Sequence, residues 1–233
     1  LASVPPRLIE TLPFSSNFWD VANMLMLRIQ KDSSISLHDP LYMISLFIFK
    51  DPNFASQPLM PQIVTFCIEQ MTHHLEEFDV WIEYADLASN VLFGLNRNGA
   101  TEPIHAMTQP LLTMVMTQIE KDRNYINPSS LISMVTLVNS LLITNFNEVA
   151  SLLGDNLIGL INYWMQNIYF PYSVITFVTN YSYFSLSNDL LLRSFVTMAS
   201  DTIFDNLDLP LAGDHFDIEE LDATDDFSSS SLW

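Results

Sequence analysis

Asn90, Asn139 and Asn180 each stand inside an apolar run, at spacings of 49 and 41 residues. The runs are LASNVLFGLNRN (87–98), TLVNSLLITN (136–145) and FVTNYSYFS (177–185), and Ser45 in YMISLFIFKD (42–51) takes the corresponding place one run earlier. A primary amide offers two N–H donors and one carbonyl acceptor, and withdrawing it from water without partners costs stability. Amides recurring on apolar helices therefore need hydrogen-bond partners, supplied by a neighbouring helix or by a bound chain. Glu83 and Asp86 lie about two turns and one turn before Asn90, so on a helix they share its side and a carboxylate there could meet a bound Lys or Arg.

Other chemistry-bearing groupings are weaker. Gly94 and Gly99 have the glycine spacing of a phosphate loop, but Ala100 and Thr101 follow where Lys and Ser or Thr are required. His73-His74-Leu75-Glu76-Glu77 gathers possible metal ligands, yet adjacent residues on a helix point to different faces and no second pair completes a site. Cys67 lies in the apolar run QIVTFCIEQM, where a thiol packs as a small hydrophobe. Asp214-His215-Phe216-Asp217 falls in a polar tail that does not preorganise ligands. The sequence thus assigns no catalytic residue, no metal site and no cofactor.

The elements that must carry the asparagines read as helices. Hydrophobic residues make up 49% of 233 residues, enough for a sizeable core, and five glycines leave little for the turns of an all-β fold. Apolar runs separated by polar breaks predict helices over 17–30 and 38–49, then Pro58–Leu75 and Phe78–Leu95, then Thr101–Lys121 and Pro128–Thr144. A stretch from Asn147 to Asn167 bends near Gly154-Asp155, 172–184 follows Pro171, and 187–206 closes the series. Gly94 and Gly99 serve as stop signals in this reading. The pairs begin at 17, 58, 101, 147 and 187, intervals of 41, 43, 46 and 40 residues. Such regularity predicts an all-α array in which each pair stacks on the next. Residues 1–16 form an irregular lead-in, 17–206 the array, and 207–233 an acidic flexible tail.

Charge narrows the partners. The net charge is −19, and residues 201–233 hold ten acids with no Lys or Arg, leaving −9 for the rest. A surface of that sign repels phosphate, so direct nucleic-acid binding is disfavoured and cationic partners are favoured. One cysteine provides no internal disulfide and points to a reducing compartment, cytoplasm or nucleus. The N-terminal residues lack a secretory pattern, and no run approaches the ~18 apolar residues of a membrane span. The chain opens at Leu1 rather than Met, and further repeats upstream are an expectation.

The segment PQIVTFCIEQMTHHLEEFDVWIEYADLASNVLFGLNRNG (61–99) resembles an armadillo repeat, and residues 36–200 as a whole resemble the armadillo/HEAT helical-repeat family. That resemblance implies a right-handed superhelix of stacked helix pairs. The placing of Asn90, Asn139 and Asn180 is similar to importin alpha, the nuclear-import adaptor. There, the second long helix lines a concave groove and its asparagine bonds the main chain of a basic localisation peptide. The family's tryptophan one turn earlier is missing, since those places hold Asp86, Val135 and Thr176, so the indole on which lysine stems would stack is absent at these three places.

The expectation is a non-enzymatic adaptor whose concave face binds an extended, basic segment of another protein through Glu83, Asp86, Asn90, Asn139 and Asn180, with a nuclear-import-type cargo signal as the case implied by the resemblance. Two alternatives stand beside it. One is a HEAT-type scaffold subunit of a larger complex. The other is a transcriptional regulator recruiting through the acidic tail, with Phe216, Phe227 and Trp233 as its apolar contacts.

Overall fold

The computed structural model describes residues 11–32, 36–121, 128–154, 156–167, 176 and 180. The expected helix at 187–206, nearly all of 172–184 and the tail with Phe216, Phe227 and Trp233 lie outside the described residues. Within them the chain is all-helical, without strands. The helices are α1 (Asn17–Lys31), α2 (His38–Lys50), a 3₁₀ turn (Phe54–Ser56), α3 (Met60–His73), α4 (Phe78–Arg97), α5 (Thr101–Lys121), α6 (Pro128–Thr144), α7 (Phe146–Leu153) and α8 (Asn156–Asn167).

Local chemistry explains most boundaries. At the end of α4, Gly99 adopts φ +67°, and the Ala100 and Gly99 amides return to the carbonyls of Leu95 and Asn96. This double turn satisfies carbonyls that the helix leaves orphaned, and glycine takes the left-handed conformation without steric cost. Gly154, at φ +46°, separates α7 from α8 at the bend expected there. Gly94 behaves differently from the sequence expectation: α4 runs through it to Arg97. A Cβ on Gly94 would come 2.5 Å from Ile48 Cγ2 and 2.8 Å from Phe54 Cδ1, so its missing side chain lets α4 approach α2 and the 3₁₀ turn.

Two contacts fix the relation between α2 and α4. His38 Nδ1 lies 3.3 Å from Glu83 Oε2, and the Asn90 amide donates to Ser45 Oγ at 3.3 Å. Both pairs are 45 residues apart, and equal offsets at two levels require parallel helices. The same holds for α3 and α5, where Thr72 meets Met114 at an offset of 42 and Gln118 donates to the Leu75 carbonyl at an offset of 43. Within a pair the chain doubles back instead. Tyr84 of α4 donates to Gln70 Oε1 of α3 at 3.4 Å and meets the ring of Phe66 edge-on.

The helices accordingly form two layers, with α2, α4 and α6 packed in succession in one and α3, α5 and α7 in the other. Trp81, Tyr84, Leu87, Leu92 and Ile63 are fully enclosed between them, and burying each large apolar side chain contributes ~1.5–3 kcal/mol. Polar ties lock the turns. The Trp19 indole N–H donates to the buried Asp51 carboxylate at 2.8 Å. Arg97 donates to the carbonyls of Phe49 at 2.8 Å, Ile48 at 3.1 Å, and Asp51, so α4 supplies the cation that closes the C-terminus of α2. Asn145, between α6 and α7, donates to Thr108 Oγ1 at 2.9 Å and to Glu148.

Candidate functional site

Of the side chains singled out in the sequence, Glu83, Asp86 and Asn90 lie together on the outer side of α4, and Asn139 lies on α6. On α4, Asp86 and Asn90 are exposed and Glu83 is half-buried, while Tyr84, Leu87, Ala88 and Val91 turn inward. The asparagine is outside because the apolar residues at three- and four-residue intervals claim the opposite face. Besides Ser45, the Asn90 amide donates to the Asp86 carbonyl one turn back, at 2.9 Å. Asn139 on α6 is half-buried and accepts a 2.9 Å hydrogen bond from the Asn180 amide.

The asparagines therefore pair across helices in two sets, Ser45 with Asn90 and Asn139 with Asn180. Among the described residues no hydrogen bond joins Asn90 to Asn139. The register between α4 and α6 accounts for the gap. Ser133 of α6 stands close enough to Asp86 to influence its carboxyl, an offset of 47, so Asn139 lies two residues beyond the level of Asn90, ~3 Å along the axis at 1.5 Å per residue. Each amide keeps capacity beyond its bridge, since an Asn offers two donors and two acceptor lone pairs.

The face is polarised along the helix axes. At its N-terminal end stand His38, Glu83 and Asp86, with the His38 ring stacked on Tyr42. Crowding by protein atoms raises the Asp86 pKa above its ordinary value. Ser133 opposes that shift by hydrogen bonding, the Glu83 charge adds to it, and His38 opposes it again. A carboxylate so placed gains from any cation brought to it. Glu83 also borders a cleft of about 740 Å³ between the ends of α1 and α3 and the starts of α2 and α4, which includes Lys31, His74, Glu77 and Tyr84 in its walls. His74 stacks on Tyr84 and lies 3.2 Å from Glu77.

At the C-terminal end the character changes. Phe49 of α2 and Phe93 of α4 are 58% and 48% exposed, yet they lie nearly parallel with ring centroids 6.4 Å apart. Ile143 of α6 is also exposed. Sequence reasoning passed over these residues, although Phe93 is three residues after Asn90 and Phe49 four after Ser45, a spacing that puts them on the same side. His38 carried a signal too, since it precedes Glu83 by the same 45 residues that separate Ser45 from Asn90.

At Val135, where the armadillo resemblance would place a tryptophan, the side chain is wholly buried, and at Asp86 and Thr176 the positions are exposed and polar. On α4 and α2 the Phe93 and Phe49 rings lie on the C-terminal side of the amides, while on the N-terminal side Tyr42 of α2 is exposed and stacked on His38. Among the described residues no group of three or more His, Cys, Asp or Glu side chains is arranged to hold a metal ion, and no helix is long and apolar enough to cross a membrane. No family model matches the chain, nor does any curated protein or solved structure. The residues themselves carry the functional reading.

Proposed function

We propose that this chain is a non-enzymatic helical-repeat adaptor of the armadillo/HEAT kind, which binds an extended basic segment of another protein on the outer face of α2, α4 and α6. The observation that carries this reading is the exposed Asn90 amide beside Asp86 and Glu83 on α4, with Ser45 on the parallel α2 bonded to it at the corresponding place. Asn90, Asn139 and Asn180 bond the main chain of the guest, which has no secondary structure of its own to satisfy it. Glu83 and Asp86 select lysine or arginine. A net charge of −19 draws such a guest in from a distance. Function in the cytoplasm or nucleus, including recognition of a nuclear-import signal, belongs to this proposal.

Fluorescence anisotropy of a labelled seven-lysine peptide tests it. The reading expects saturable binding that weakens as salt shortens the screening length from ~10 Å at 0.1 M to ~3 Å at 1 M, and that drops further in Asp86→Asn. Absence of saturable binding at low salt, or affinity indifferent to Asp86→Asn, overturns it.

A second reading has its own observation. The Asn180-to-Asn139 bond at 2.9 Å ties α6 to a residue 41 positions further along the chain, and a purely structural role for those two amides follows if they serve each other alone. Melting temperature separates the roles, since a lost tie lowers it while a lost guest contact does not.

A further inference from the structure

We infer that the guest segment alternates cationic and apolar side chains, with its cations on the Glu83 and Asp86 side and its apolar groups on Phe49 and Phe93. The inference deepens the proposed function and rests on it. Its ground is the polarity of the face. Along α4, Asp86 lies four residues before Asn90 and Phe93 three residues after it, so at 1.5 Å per residue the acid and the ring flank the amide at ~6 Å and ~4.5 Å. An extended backbone held over Asn90 and crossing the helices sends successive side chains to opposite sides. One side meets carboxylates, and the other meets aromatic surface.

The aromatic side is built to receive something. Phe49 and Phe93 come from different helices, and their near-parallel rings at 6.4 Å form a continuous apolar strip that remains about half exposed. A cation is poorly served there, because the Arg97 guanidinium lies against the Phe49 carbonyl at 2.8 Å and repels a second positive charge. An apolar side chain suits the strip. At the other end the charges reverse, with Glu83 and Asp86 next to each other and His38 of α2 against Glu83. Charge complementarity therefore assigns the two sides of the guest to different residue classes.

Geometry also sets the length of the match. Two residues of extended chain advance ~6.7 Å, against ~8–10 Å between helix axes. Alternation stays in step with α2 and α4 and drifts on reaching α6, so about four to six guest residues carry the preference.

Three heptapeptides distinguish the possibilities: one alternating Lys and Leu, an isomer with the same residues but its leucines contiguous, and seven lysines. The alternating peptide is expected to bind the full chain at least roughly tenfold more tightly than either of the others, corresponding to ~1.4 kcal/mol. In Phe49→Ala/Phe93→Ala that advantage disappears while the affinity for seven lysines stays unchanged. Both rings are exposed, and circular dichroism verifies that the variant keeps its helices. Equal affinity for the alternating and contiguous isomers overturns the inference and leaves the basic-guest reading standing. Failure of all three peptides to bind overturns the basic-guest reading itself. Retention of the advantage in the double variant places the apolar contact elsewhere and also refutes the inference.

Discussion

Replacing Gly94 by alanine probes the contact that holds α2 and α4 at their observed separation. The added methyl would stand 2.5 Å from Ile48 Cγ2 and 2.8 Å from Phe54 Cδ1, whereas carbon atoms prefer ~3.5–4.0 Å. Ile48 and Phe54 are 1% and 0% exposed, so neither has free space to move into. Overpacking of this kind costs ~1–3 kcal/mol. Alanine in a helix interior recovers ~0.8–1.0 kcal/mol relative to glycine, leaving a net loss of up to ~2 kcal/mol. Gly159 supplies the control, because it is an exposed helical glycine whose added Cβ meets nothing within 4 Å. Gly159→Ala should therefore gain the full helical increment, and the difference between the variants should isolate the packing cost of ~1–3 kcal/mol. Urea unfolding followed by far-ultraviolet circular dichroism measures both, with equal slopes required for a valid comparison. A Gly94→Ala protein as stable as Gly159→Ala would refute the close approach of α2 and α4, and with it the register of Ser45 on Asn90.

Further expectations concern the polar ties and the thiol. Hydrogen bonds from His105 and then Asn145 hold the Glu148 carboxyl below its usual range, so its stabilisation is present above the unfolded value of ~4.3 and fades as pH falls through the lower folded value. Glu148→Gln should thus lower the urea midpoint at pH 6 and have a much smaller effect near pH 3; an equal loss at both would exclude the linkage. Trp19→Phe removes the donor to the buried Asp51 and should cost ~1–3 kcal/mol, and a neutral result would mean that Asp51 finds another partner. Burial pushes the Cys67 thiol up to about 12, so a disulfide reagent should label it only on unfolding, whereas rapid labelling of the native chain would contradict its place in the core.

Much of the framework was legible because the breaks are chemical. Pro128 opens α6, the bend at Gly154 was visible in its sequence, and Thr101–Lys121 matched residue for residue. Gly94 misled for a tertiary reason: a glycine near a helix end reads as a stop, and only the nearness of Ile48 and Phe54 reveals that it is a packing notch. The amide pairs were half legible. Recurrence at 45 and 41 residues placed Ser45 with Asn90 and Asn139 with Asn180, but the step of 49 between the sets departs from the register of 47 set by Asp86 and Ser133. Arg97 gave no sign at all, because a guanidinium seeking three carbonyls of another helix leaves no periodic trace. The exposed rings of Phe49 and Phe93 were hidden by habit of reading, since aromatic residues on apolar helices are ordinarily counted into the core.

The most direct test of the account is calorimetric titration of Asn90→Ala/Asn139→Ala/Asn180→Ala with a basic heptapeptide, alongside its thermal unfolding. Each guest hydrogen bond lost should cost ~0.5–1.5 kcal/mol, so the account predicts binding weakened roughly tens of times or more in a chain that keeps its helices and most of its melting temperature. Unchanged peptide affinity in a normally folded triple variant would contradict it.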